Sequence, residues 1–122
     1  MNKTIPFWHL PDGGTLSAVG TSHNVTDGYA FYDGSPPAPV IYTGSVTVTG
    51  VGGTPPYTYA WTDVTPASGI HIHFPTSATT NFYEQSATGP YVKIGQFLCT
   101  VTDAVAATST WSVDDVTIEQ TT

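Results

Sequence analysis

The sequence predicts an all-β fold, two antiparallel sheets packed as a sandwich, on three observations. Thr54-Pro55-Pro56-Tyr57-Thr58-Tyr59-Ala60-Trp61 runs from a proline turn into a strand whose aromatic residues alternate with small ones. Further along, Gly95-Gln96-Phe97-Leu98-Cys99-Thr100-Val101-Thr102-Asp103 alternates again, with Phe97, Cys99 and Val101 on one face to close over Trp61. Glycine (12) and proline (10) punctuate the chain at the spacing of short strands, and no helical period of useful length occurs.

A chain of 122 residues suits one domain, with room for an appended arm. That size is sufficient for a core without metal or disulfide staples. Charged residues make up 9% of the chain, and its polarity comes instead from Thr and Ser. Threonine favours strands because its branched Cβ is stiff at χ1. The net charge is −7, there is no Arg, and the only lysines are Lys3 and Lys93. Phosphate-backbone binding depends on Lys and Arg, so nucleic acid is not an expected partner. The acidic balance also repels anionic membranes, and no run reaches the length of a membrane span. Cys99 is the sole cysteine, so an intrachain disulfide is ruled out. The start, Met-Asn-Lys-Thr-Ile-Pro-Phe-Trp-His, lacks a signal-peptide-like apolar run, which predicts synthesis in the cytoplasm. Export by another route, or loss of a leader, is the alternative.

Residues 1–38 differ from the rest. They hold Pro6, Pro11, Pro36 and Pro37 and three Asp-Gly pairs, Asp12-Gly13, Asp27-Gly28 and Asp33-Gly34, each a turn signal. Short strands are expected over Thr15–Val19 and Gly28–Tyr32. Phe7, Trp8, Tyr29, Phe31 and Tyr32 make this segment an aromatic-rich N-terminal extension with two readings. It supplies added edge strands to the sandwich, or it is a docking arm whose aromatics are buried in a partner. Pro36-Pro37-Ala38-Pro39 sets a boundary, leaving residues 39–122 as the sandwich.

Within 39–122, Val40–Tyr42 is a short first strand. Ser45–Thr49 turns Val46 and Val48 inward until Gly50, Gly52 and Gly53 end it. Tyr57–Thr62 places Tyr57, Tyr59 and Trp61 on one face. Ile70–Phe74 sets Ile70, Ile72 and Phe74 opposite His71 and His73, and Pro75 stops it. Thr79–Tyr83 is a weaker strand, and Tyr91–Ile94 leads into Gln96–Thr102. In the last strand Trp111 and Val113 share one face, but Val116 and Ile118 fall on the other. An extra residue at Asp114-Asp115 would restore a single buried face, which predicts a β-bulge there. The expected core is Val46, Val48, Tyr59, Trp61, Ile72, Phe97, Cys99, Val101, Trp111 and Val113.

Gly52-Gly53-Thr54-Pro55-Pro56-Tyr57-Thr58-Tyr59-Ala60-Trp61, followed by Cys99-Thr100-Val101-Thr102-Asp103-Ala104, resembles immunoglobulin-like modules of the polycystic-kidney-disease and bacterial surface-repeat type. The resemblance covers roughly residues 40–119 and implies an immunoglobulin-like antiparallel β-sandwich. It makes Trp61 the buried tryptophan of the third strand and puts Cys99 where antibody domains carry their second disulfide cysteine. Val46 or Val48 stands in place of the first cysteine, and Phe97 lacks the tyrosine-corner hydroxyl, so an antibody-type domain is not implied. Modules of this kind are also similar to accessory domains of tailed bacteriophage virions, which decorate capsids, tail tubes or baseplates and bind host glycans weakly. Fold alone fixes no function.

Candidate chemistry is sparse. His71-x-His73 puts two imidazoles on one strand face, able to chelate a metal or simply to face solvent; no Cys, Asp or Glu in that segment completes a site. Asp114, Asp115 and Glu119, or Asp63 and Asp103, offer carboxylates for calcium or for turns, without calcium-loop spacing. There is no Gly-x-Ser-x-Gly elbow, no basic neighbour to activate Cys99, and only Glu84 and Glu119 as glutamates. Trp8, Tyr29, Tyr32, Tyr83 and Tyr91 are the aromatics available to stack on sugars, or else to pack in the core. Asn2-Lys3-Thr4 and Asn24-Val25-Thr26 match glycosylation sequons by chance.

No catalytic residue, cofactor or metal is expected. The expectation is a non-enzymatic structural protein that decorates or cements a larger assembly, a bacteriophage virion, at its capsid or tail surface. Its partners would then be the major capsid or tail protein, with homo-oligomers and weak glycan contacts as further options. The alternative is an adhesion or carbohydrate-binding module for a host-cell surface.

Overall fold

The structure is a computed structural model that describes residues 14–85 and 90–122. Among these, the strands are β1 (Ser17–Gly20), β2 (Asn24–Phe31), β3 (Val40–Tyr42), β4 (Val46–Val51), β5 (Thr58–Asp63), β6 (His71–Ile72), β7 (Thr79–Thr80), β8 (Phe82–Gln85), β9 (Tyr91–Thr102) and β10 (Thr108–Thr121). A single turn of 3-10 helix, Pro66–Ser68, interrupts them. Phe7 and Trp8 lie outside the described residues.

One sheet has the order β2-β10-β9-β5. The other side of the sandwich is assembled from β1-β4-β7 and β3-β8-β6. These two ladders are halves of one interrupted sheet. β3 and β4 follow each other along one line, β8 and β7 along the next, and the register slips by one residue between the halves. Thr43 bridges the slip: its N–H donates to the Phe82 carbonyl at 2.9 Å, and its hydroxyl accepts from the Phe82 N–H at 3.1 Å. The threonine side chain thus replaces the backbone acceptor that the bulge displaces. Four strand lines in each sheet, with β1 and β2 splitting the first line between them, give the immunoglobulin-like sandwich.

The N-terminal strands belong to the sandwich. β1 pairs antiparallel with β4, and the chain then crosses so that β2 pairs parallel with β10. Residues 17–31 therefore supply an edge strand to each sheet, and Pro36–Pro39 is a connection inside the fold rather than its border.

The core lies between the sheets, where the alternation places it. Val46, Val48, Phe97, Cys99, Val101 and Val113 are fully enclosed, and Trp61 is 4% exposed. Tyr59, Ile72 and Trp111 are only partly buried, packed against the rim of this cluster. Phe82, absent from the expected core, sits at its centre: its ring stacks on Phe97 at 4.4 Å and meets Trp61 edge-on at 6.0 Å. The Trp61 indole N–H donates to the Ser77 carbonyl at 2.8 Å, meeting the need of a buried ring nitrogen.

The Gly-Gly turn before β5 explains the tyrosines that follow it. Gly52 and Gly53 have φ of 74° and 62°, open to glycine at little cost. A Cβ on Gly50 would come within 2.8–2.9 Å of the Tyr57 ring, so only glycine lets that ring close over the strand end. The Tyr57 hydroxyl then donates to the Gly52 carbonyl at 2.5 Å, and that of Tyr59 accepts from the Gly50 N–H at 3.3 Å. The bulge in β10 falls at Asp114-Asp115, where Val113 pairs with Phe97 but Val116 with Gly95. Val113, Val116 and Ile118 are all buried as a result.

One stretch departs from the alternation. Strand pairing stops after Ile72, and Phe74 turns outward, half exposed and stacked on His73 at 4.0 Å. Its N–H bonds the Thr80 hydroxyl at 2.9 Å instead of a neighbouring strand, which ends the ladder and frees the side chain from the inward parity.

Candidate interaction surfaces

The outward face of the β2-β10-β9 sheet carries an apolar patch. Tyr29 and Phe31 project from β2, Val92 and Ile94 from β9, and they are 61%, 63%, 60% and 59% exposed. Register sets them on either side of β10, whose outward Thr117, Glu119 and Thr121 lie between: Tyr29 pairs with Glu119, which pairs with Val92, while Phe31 pairs with Thr121 and Ile94 with Thr117. Period-two alternation puts all of them on the side away from the core. The Tyr29 hydroxyl lies 3.1 Å from the Thr121 hydroxyl, which steadies that ring across the strands. The aromatic positions singled out from the sequence separate here. Tyr29 and Phe31 face outward, but Tyr32 is buried and belongs to the interior, because it has the opposite parity. Val92 and Ile94 were missed, although their alternation with Tyr91 and Lys93 was available.

The opposite sheet carries a row of rings. Tyr42 pairs with Tyr83, and Tyr83 with His71, so three rings line up across β3, β8 and β6. Tyr42 and Tyr83 are 5.8 Å apart, and His71 and Tyr83 5.2 Å. His73 contacts both Tyr42 and Tyr83, and its Nδ1 sits 2.7 Å from the Asn81 side-chain oxygen. A carbonyl oxygen only accepts, so Nδ1 carries the proton and Nε2 is left as an acceptor. Both rings of the His71-x-His73 pair thus pack against Tyr83, at 5.2 and 5.8 Å.

The carboxylates are spread over separate turns. Asp63 accepts from the Thr65 N–H at 2.8 Å, while the Ser112 hydroxyl donates to Asp114 and that of Thr117 to Asp115. Asp103, buried beside the β9–β10 turn, accepts from the N–H groups of Thr54, Val105 and Ala107 at 3.0, 3.0 and 2.9 Å. The Thr54 N–H foremost, then those of Ala107 and Val105, hold its carboxyl below the usual carboxylate range, against the opposing effect of burial. Asp103 therefore ties the β9–β10 turn to the turn before β5. It also borders a cleft of about 370 Å³ lined by Gly14, Leu16, Gly53 and Val105. With its oxygens committed to the backbone, it has a structural task there. No group of three or more His, Cys, Asp or Glu placed to hold a metal occurs among the described residues.

Two further groups lie inside. Burial pushes the Cys99 thiol up to about 11, the opposite of an activated nucleophile. Glu84 on β8 and Lys93 on β9 form an ion pair across the sandwich, with Glu84 almost wholly buried. Gly69 leaves room for it: a Cβ there would lie 3.0 Å from the Glu84 carboxylate and 3.2 Å from the Lys93 ammonium. The Lys93 ammonium also stands 4.9 Å over the Tyr91 ring. Tyr91 is thus partly buried, packed against the core. Burial, with the Glu84 charge adding to it, raises its phenol above the ordinary value.

No protein-family model matches the sequence, and no curated protein matches it. Among solved structures, a conjugative transposon lipoprotein from Bacteroides eggerthii is similar at 10% identity, covering 80% of this chain and 92% of its own, with a TM-score of 0.39.

Proposed function

We propose that this chain is a non-enzymatic structural module that docks on a larger assembly through the outward face of β2, β10 and β9. The observation that carries this reading is the cluster of Tyr29, Phe31, Val92 and Ile94, each with roughly 60% of its surface in water on a sheet whose other face is already filled. Large apolar side chains exposed together on one face, with polar residues among them, mark interaction sites, and aromatic anchors dominate binding energetics. Covering roughly 400 Å² of these side chains would contribute about 10 kcal/mol before the cost of immobilisation is subtracted. The assembly that fits the sequence resemblance is a bacteriophage virion, with the major capsid or tail protein as partner and the virion surface as location. Asp63 and Asp103 hold turns, Asp114 and Asp115 take hydroxyl donors and Glu84 is ion-paired with Lys93, which supports a non-catalytic role.

A second reading, recognition of a host-cell surface, draws on the ring row of the opposite sheet. The two readings use different faces and separate experimentally. Virions assembled without this protein would be mixed with it and sedimented, alongside Tyr29→Ser/Phe31→Ser and Val92→Ser/Ile94→Ser variants. Docking through this face requires the native protein to co-sediment and both variants to remain in the supernatant with unaltered thermal unfolding. Equal co-sedimentation of all three proteins would remove the face from consideration.

A further inference from the structure

We infer that the row Tyr42–Tyr83–His71, with His73, Asn81 and Phe74 beside it, is a binding platform for an uncharged carbohydrate chain. The inference rests on the recognition reading above and is independent of the docking face.

The rings share one side of three adjacent strands because they are direct cross-strand partners. Two inter-strand steps separate Tyr42 from His71, about 10 Å, enough to underlie more than one sugar ring. The rings are not needed for the core, which is filled beneath them by Ile41, Ile70 and Phe82. Tyr42 is nevertheless 47% exposed and Phe74 50%. A ring face carries the negative lobe of its quadrupole, so it attracts partly positive C–H groups. The face of a pyranose ring presents such C–H groups, with hydroxyls around its rim.

The polar groups here suit those hydroxyls. The Asn81 contact fixes the His73 tautomer and leaves Nε2 as an acceptor, and the Tyr42 and Tyr83 hydroxyls both donate and accept. Gln85, exposed and paired with Val40 next to the row, donates its amide N–H to the Ala38 carbonyl at 2.8 Å and offers its amide oxygen as an acceptor. None of Val40, Tyr42, His71, His73, Phe74, Asn81, Tyr83 and Gln85 is an Asp, Glu, Lys or Arg. With no fixed charge to pair a carboxylate, sulfate or ammonium, the row selects neutral sugars. A proline-rich peptide would need a furrow between rings. Here neighbouring rings in the row stand 5.2–5.8 Å apart and close that space against each other.

The test is an array of neutral oligosaccharides (cello-, chito-, malto- and manno-series) beside sialylated and sulfated glycans and a polyproline peptide. Chitotriose, cellotriose, maltotriose and mannotriose are then titrated against the folded protein by NMR. The expected result is binding to at least one neutral series, weakened at least about five-fold in Tyr42→Ala and in Tyr83→Ala, the loss of one ring contact. The Tyr29→Ser/Phe31→Ser variant should bind the sugar as the native protein does, so failure of docking leaves this result untouched. His71→Ala, at an exposed position, repeats the measurement should Tyr83→Ala unfold. Absence of neutral-glycan binding, binding confined to charged glycans or to polyproline, or sugar binding unchanged in the ring variants would each overturn the proposal.

Discussion

Replacing Trp61 by alanine tests the architecture at the point where both sheets meet. The indole is 4% exposed, edge-on to Phe82, which in turn stacks on Phe97, so its removal opens a cavity against two large rings. Truncations of this kind cost about 3–5 kcal/mol, because rigid neighbours collapse only partly into the space. The lost bond to the Ser77 carbonyl adds about 0.5–1 kcal/mol, since Ser77 is exposed and its carbonyl regains water. A total of about 3.5–6 kcal/mol is a large share of the roughly 5–15 kcal/mol that holds a single domain. Trp61→Phe keeps most of the buried area and should lose only about 1–2 kcal/mol. Urea unfolding followed by far-ultraviolet circular dichroism gives both values, provided the m-value is unchanged. A loss below about 1 kcal/mol for Trp61→Ala would show that the indole does not fill the core.

Further outcomes at three sites follow from the same geometry. Asp103 has a folded-state affinity for protons below that of the unfolded chain. Its contribution is therefore complete above the ordinary aspartate value and lost as pH falls toward the lowered one, so urea midpoints should drop through that window and drop less in Asp103→Asn. Cys99 is shifted the other way, to about 11, so the unfolded thiol ionises first and stability should decline as pH rises from about 9 to about 11. At pH 8 Ellman's reagent should react with Cys99 only as fast as the protein unfolds. Lys93→Met strands the Glu84 charge inside the sandwich and should cost about 2–4 kcal/mol by chemical denaturation, while Glu84→Gln/Lys93→Met should recover most of that loss.

Alternation alone located much of the fold. Tyr57, Tyr59 and Trp61, and Phe97, Cys99 and Val101, read directly as inward faces, and the parity break around Asp114-Asp115 located the bulge. Phe82 was not legible, because its segment is broken at Asn81 by the register slip and neither half is long enough to show a period. Phe74 misled for a related reason: the alternation continues in the sequence after the backbone has left the ladder. The place of Asn24–Phe31 depends on a parallel pairing with a strand some ninety positions away, which no local turn signal encodes. The two exposed faces were half visible. Tyr29 and Phe31 stood out by type, but their neighbours Val92 and Ile94, and the row formed by Tyr42 with Tyr83 and His71, exist only once the strands are in register.

That parallel pairing has a mechanical consequence. β2 and β10 run the same way, so tension applied between residue 24 and residue 121 draws the two strands lengthwise in opposite directions. The hydrogen bonds joining them then bear the load together, as in shear. The β9–β10 hairpin, pulled at its open end, would surrender its bonds one after another. Any partner that pulls on those two positions would load this molecule along its resistant direction.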